Sequence, residues 1–339
     1  MKRQDTGKLV FVSVAFALLA AYPLVGGNFG IDLVNKIMIF ALFALSLELL
    51  VGGTGLVCFG HAAFFGIGGY SAVLLSPEYD PGSLWILLPA AVGAAALYAL
   101  AVGALSLRTK GVYFIMVTLA FAQMAYFVVH DTPLGGGTDG IYLAAKPVLG
   151  SLLDTGDALT MYHFTLACLG LGFGFLAVLQ RSRFGRALAG IRVNEQRMRA
   201  TGFSTYPYKL AAFTISGALA GLAGFLFAVK DGFVNPELLS WHLSGSVLVM
   251  IILGGIGHLR GALIGAFAYA LLQEFFKSEV IFGAFAKHWH LGLGLVIIAS
   301  VALLPKGLVG LPGQMRARLA GGTGERAAAA KRAGREGGR

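Results

Sequence analysis

Apolar residues along this chain come in unbroken runs, at about 9–26, 31–51, 56–76, 84–107, 111–130, 161–180, 209–230, 243–258, 261–276 and 288–304. Runs of about 17 to 25 residues match a hydrocarbon core about 30 Å thick. Only helices and closed barrels satisfy their backbone inside lipid. A barrel strand alternates apolar and polar positions, and these runs do not. The pattern predicts an all-α membrane protein, a polytopic bundle of about 8–10 transmembrane helices. The short segments between 243 and 276 leave two readings, a pair of full spans or a re-entrant pair. The first run follows Met1-Lys2-Arg3 without a clear small-x-small cleavage site. It is expected as a retained span rather than a signal peptide.

The polar interruptions are uneven. The stretch "RSRFGRALAGIRVNEQRMRATGF", residues 181–203, holds six arginines, a Glu, an Asn and a Gln. Ala187, Leu188, Ile191, Glu195 and Met198 recur at three- and four-residue steps, the spacing of an amphipathic helix. Gly202 suits its C-terminal cap and Pro207 resists continuation. Such a helix either lies on anionic headgroups or docks into a groove on a soluble partner. The segment 131–160 carries four Asp and Gly135-Gly136-Gly137, which predicts a small external cap. Residues 313–339 are rich in Gly, Ala and Arg without an apolar period, the composition of a disordered basic tail.

Composition sharpens the class. Charged residues make up 12%, about half the share in soluble domains, and mean hydropathy is +0.78. With the N-terminus inside, 21 of the 26 Lys and Arg fall in inside loops and the C-terminal segment. That asymmetry is the positive-inside signature and places both termini in the cytoplasm. The net charge of +10 is then topology, and nucleic acid is excluded as a partner. Cys58 and Cys168 both sit in apolar runs, which points to neither a disulfide framework nor a metal site. The chain has no G-x-x-x-x-G-K-[ST], G-x-S-x-G or H-E-x-x-H. No catalytic residue and no bound cofactor is expected, so a pump would take its motor from another chain.

Two ionisable residues stand at membrane depth, where such groups are functional candidates. Glu48 lies within a turn of a span end and either joins a solute path or snorkels to the interface. His61 either faces a path or hydrogen-bonds a neighbouring helix and holds the bundle together. Both flank a glycine cluster, "VGGTGLVCFGHAAFFGIGGY" (51–70). Gly52, Gly53 and Gly55 break the helix there, which is tolerated where backbone lines a cavity. The other glycines provide small-residue packing surfaces.

In order and spacing, about 31–311 resembles the branched-chain amino acid ABC transporter permeases. The blocks are "GTGLVCFGHAAFFGIGGY", "LRTKGVYFIMVTLAF", "LGGGTDGI", "SRFGRALAGIRVNEQRMRATGFSTYPYKLAAFTISGALAGLAGFLFA", "LVMIILGGIGHLRGALIGAF" and "PKGLVGL". The resemblance implies a permease domain over 1–312 in a bacterial plasma membrane, with a cytoplasmic coupling loop at 181–208. Arg186, Leu188, Ile191, Arg192, Asn194, Glu195 and Gly202 would form the coupling helix, its apolar stripe seated in a cleft of the ATPase. Glu48, Thr54, Gly55, Gly60, His61 and Phe64 would line the solute path. Implied partners are a second, homologous permease, two ATP-binding subunits that hold the ATP, and an external solute-binding protein. Leu56 and Cys58 replace the Gln and Ser frequent in that block, Glu48 replaces Asn, and His258 and Arg260 follow "LGGIG". These departures leave urea or amide solutes open beside branched-chain amino acids. Ion-coupled transport or a channel is the competing class, although neither an internal repeat nor a midplane carboxylate pair supports it.

Overall fold

Every apolar run contains a helix, but not every helix is long enough to cross a bilayer. The computed structural model describes residues 2–77, 80–149, 153–304 and 307–311; the predicted tail lies outside them. In chain order the helices are α1 (Lys2–Ala21), α2 (Asn28–Glu48), α3 (His61–Leu74), α4 (Leu84–Ser106), α5 (Val112–Asp131), α6 (Ala158–Arg181), α7 (Arg183–Val193), α8 (Glu195–Ala200), α9 (Thr205–Asp231), α10 (Trp241–Gly254), α11 (Leu259–Lys277), α12 (Glu279–Phe282) and α13 (Trp289–Leu303). A π-helical turn, Leu49–Thr54, extends α2. Besides short 3-10 turns, the described residues hold four two-residue strands: β1 (Ile141–Tyr142), β2 (Val148–Leu149), β3 (Leu153–Asp154) and β4 (Phe233–Val234). Among the described residues, seven helices are long and apolar enough to span a membrane. The chain is an all-α polytopic membrane protein.

Two of the shorter apolar helices, α3 and α10, have 14 residues each. At 1.5 Å per residue each covers about 21 Å, some two-thirds of the core. α3 begins enclosed, with His61 fully buried. Residues 55–60 return non-helically from the π turn to the level of Ser46 before α3 starts at His61. Gly55 makes the reversal in the left-handed region, at φ 76°, which a side chain would resist. The chain from Gly232 to Ser240 enters from the opposite end before α10 starts. The two helix starts touch: the Ala62 amide donates to Ser244 Oγ at 2.9 Å, and Gly66 packs on Leu239. The uncertain region 243–276 is therefore one broken span followed by a full helix, α11.

Glycine lets these elements approach. A side chain at Gly60 would overlap the Thr118 carbonyl of α5. Between α3 and α9, Gly68 meets Gly221, and Gly224 meets the Phe65 carbonyl. This is the small-residue packing of membrane helices. The centre is α2, α3 and α9: the spans of α2 and α9 are 89% and 72% buried, against 17% and 11% for those of α5 and α13. The outer helices present apolar side chains such as Ile298, Leu295 and Met116 outward, the surface that lipid or a partner covers.

The loops sort to two ends. At one end gather the π turn, the α4 terminus, residues 181–204, the α10–α11 turn and Gly307. Tyr206 Oη donates to the Ala104 carbonyl there at 2.9 Å, and Gly307 abuts Gly255. At the other, β1 pairs antiparallel with β4 and β2 with β3, tying the 131–160 cap to the α9–α10 connection.

Candidate functional site

The arginine-rich segment is a helical elbow, not one helix. Ser182 caps α7, its Oγ accepting from the Gly185 amide at 3.3 Å. The segment breaks at Asn194, whose Oδ1 accepts from the Arg197 amide at 2.9 Å and starts α8. An Asn satisfying orphan amides in this way is a preferred helix start, a signal the single amphipathic stripe concealed. Gly202, at φ 82°, follows the end of α8.

The apolar stripe of α7 faces inward. Ala187, Leu188 and Ile191 are buried against the chain's own α6, α9 and π turn. This differs from the expectation that the stripe seats in a partner's cleft: the nearest apolar surface belongs to the same chain. Glu195 likewise turns inward. It accepts from Lys209 Nζ at 2.6 Å, Thr205 Oγ1 at 2.9 Å and Arg199 Nη2 at 2.5 Å, pinning α8 to the start of α9. Partial burial pushes the Glu195 carboxyl up, but the bonds from Lys209, Thr205 and Arg199 outweigh it and hold it down at about 2. What the elbow offers outward is Arg183, Arg186, Val193, Asn194 and Arg197, with Val193 87% exposed.

Arg192 leads from the elbow into the membrane domain. Its guanidinium donates to the Gly52 carbonyl in the π turn. The same group lies beside Gly257, at φ 91°, in the α10–α11 turn. Glu48, fully buried, accepts from the Gly257 amide through Oε1 at 2.7 Å, while Oε2 has no partner among the described residues. Arg192 is close enough to attract that carboxyl. A side chain on Gly52 would strike Glu48 and crowd Gly257. One knot thus joins the elbow to the π turn that ends α2 and to the α10–α11 turn. Glu48 does not snorkel, and π turns recur at functional positions.

The remaining expected path residues lie farther along the same broken span. Thr54 Oγ1 donates to the Leu50 carbonyl at 2.7 Å, beside Gly55. His61 is enclosed: its Nε2 meets Ser46 Oγ at 2.8 Å, and its ring stacks on Phe43 and meets Phe64 edge-on. Nδ1 has no partner among the described residues. These contacts tie the start of α3 to α2. Phe64 in turn packs edge-on against Phe213. Sequence reasoning missed Ser46, Ser244, Gly257 and the Glu195–Lys209 pair, because contacts between distant segments leave no periodicity. Among the described residues no His/Cys/Asp/Glu cluster is arranged to hold a metal ion.

A broken-span helical bundle with a polar elbow at one end is the architecture of a transport permease. The family described as branched-chain amino acid transport system, permease component, matches residues 30–301, and the chain belongs to it. It is 30% identical to the high-affinity branched-chain amino acid transport system permease protein LivM of Escherichia coli, over 88% of this chain and 74% of that one. It is 23% identical to BraD, a permease protein of the same kind from Pseudomonas aeruginosa, over 83% of this chain and 95% of that one. A shorter match, 31% identity over 42% of this chain and 40% of that one, is to the autoinducer 2 import system permease protein LsrC of Klebsiella pneumoniae. No solved structure matches.

Proposed function

We propose that the chain is the permease of an ATP-driven importer of branched-chain amino acids in a bacterial plasma membrane. The observation that carries this is the elbow, an exposed polar surface joined through Arg192 to the π turn of α2 and the α10–α11 turn. Kinship to LivM and BraD supports the solute class. The basic character of the elbow's end supports its placement in the cytoplasm, together with both termini and the 313–339 tail; residues 1–312 then form one permease domain, with 131–160 outside. The energy comes from two ATP-binding subunits, and the other partners are a second permease and an external solute-binding protein.

In this mechanism the outward face of the elbow, including Arg186, Asn194 and Gly202, docks on an ATP-binding subunit. Leu188, Ile191 and Glu195 fasten the elbow to the membrane domain, so movement of the partner becomes movement of α7 as a body. We assign the solute path to the surroundings of Glu48, Thr54, Gly55, Gly60, His61 and Phe64; the packing around His61 is closed, so alternating access requires it to part.

Docking is tested by changing the charge of exposed residues. Val193→Asp and Arg197→Glu are expected to lower recovery of the cognate ATP-binding subunits with the tagged chain at least tenfold, while insertion and thermal stability stay at wild type. A desolvated, unpaired charge disfavours an interface by several kcal/mol. Wild-type recovery with both variants would overturn the docking role.

A further inference from the structure

A groove of about 470 Å³ runs between α1 and α11, with α6 as its floor. Phe16 and Leu19 of α1 form one wall, and Leu263 and Leu271 of α11 form the other. It opens to the outside of the bundle, where Leu18 and Leu271 are exposed. The two helices run in the same direction. Tyr162 Oη, near the start of α6 and beside the cap, donates to the Leu19 carbonyl at 2.7 Å, so α1 ends at the cap and begins at the elbow end. α11 also begins at the elbow end, directly after the α10–α11 turn. From Leu263 to Leu271 the groove follows α11 for about 12 Å, at 1.5 Å per residue.

Among the described residues, one charged side chain lines this groove: Arg260, in the first turn of α11. The lining is almost wholly apolar, so what the groove meets of Arg260 is its hydrocarbon stem. Its guanidinium has no ion-pair partner among the described residues. Stem on apolar surface and charge at the rim is the posture of a snorkelling arginine. The sequence adds positive charge at the same end, because the first half of α1 carries Lys2, Arg3 and Lys8 against Asp5. No carboxylate lines the groove. A second copy of the chain inserted the same way would bring like charge to the rim. An anionic lipid brings the opposite charge: its acyl chain matches a narrow apolar groove, and a guanidinium holds phosphate through two N–H bonds. Basic sites between membrane helices on the cytoplasmic side bind anionic headgroups in this way. We propose that the groove holds an anionic phospholipid, one acyl chain along Phe16, Leu263 and Leu271 and the phosphate on Arg260.

Assignment to the cytoplasmic leaflet rests on the orientation proposed above; the chemistry of the groove does not. The complex purified through this chain is placed in nanodiscs of phosphatidylglycerol and phosphatidylethanolamine in equal amounts, and the lipids it retains are counted by native mass spectrometry. Phosphatidylethanolamine shares the phosphate but adds an ammonium, for which the groove offers no carboxylate. Preferential retention of phosphatidylglycerol is expected. Arg260→Gln is expected to lower that retention about fivefold, the effect of one basic residue beside an anionic headgroup, and to leave phosphatidylethanolamine unchanged. Arg260→Lys is expected to restore most of it. Ala15→Trp, which fills the groove from α1, is expected to lower phosphatidylglycerol retention at least as far. Ala15 and Arg260 are both partly exposed, so one variant keeps the test valid if the other misfolds. Equal retention of the two lipids by wild type, or phosphatidylglycerol retention unmoved by both Arg260→Gln and Ala15→Trp, overturns the proposal. Efficient crosslinking of an Ala15→Cys variant to another protein chain in intact membranes also overturns it, because protein then covers the groove. Lipid counting is independent of transport: leucine uptake without lipid retention sinks the site and leaves the proposed function, and the reverse result sinks the function and leaves the site.

Discussion

Arg192→Gln is expected to lower solute uptake roughly ten- to a hundredfold in the reconstituted transporter, while ATP-binding subunits still co-purify with the chain. The guanidinium bonds a carbonyl at the end of a helix, where carbonyls lack intrahelical partners. It also lies beside the turn that Glu48 holds through Gly257. A charge-assisted bond of this kind contributes about 1.5–3 kcal/mol, and about 1.4 kcal/mol corresponds to a tenfold change in rate. Glutamine keeps a donor but loses the charge and the second contact. ATP hydrolysed per solute moved is the decisive readout, because it should rise in the variant. Partial rescue by Arg192→Lys is expected, since an ammonium restores the charge without the planar fork. Loss of co-purification would make Arg192 a docking residue, and unchanged uptake would remove it from the coupling route.

The second large effect is structural. At Gly60 a methyl group would overlap the Thr118 carbonyl and lie 3.2 Å from the Ala122 methyl. The first obstacle is backbone, which no rotamer change relieves. Overpacking of this kind destabilises by about 1–3 kcal/mol and at times more. Gly60→Ala is therefore expected to lower the melting temperature of the purified permease by several degrees and to reduce the yield of folded protein. Gly93→Ala is the matched control. Nothing lies within 4 Å of the added atom there, and alanine favours the helix by about 1 kcal/mol. A Gly60→Ala variant as stable as Gly93→Ala would show that α3 and α5 are farther apart than described.

The spans were legible because membrane helices declare themselves by length and continuity. Ends and interruptions were less so. The run 56–76 reads as one helix, yet its first residues are non-helical, since Gly55 and Gly60 serve a reversal and a close approach that hydropathy does not register. The elbow was located by its arginines, while its orientation was not. Amphipathicity reports that Leu188 and Ile191 seek an apolar surface; it does not say whether that surface is a partner or α6 and α9 of the same chain. Glu48 was singled out correctly as unusual, but its partner is 209 positions away, and no local pattern connects them.

The central claim, that movement of ATP-driven partners reaches the membrane path through this chain, is tested most directly by uptake of radiolabelled L-leucine into proteoliposomes. These should hold the chain with its permease, ATP-binding and solute-binding partners. Accumulation is expected only when ATP is present on the elbow side and the binding protein on the other. Accumulation by the chain alone, driven by an ion gradient and indifferent to ATP, would contradict the account.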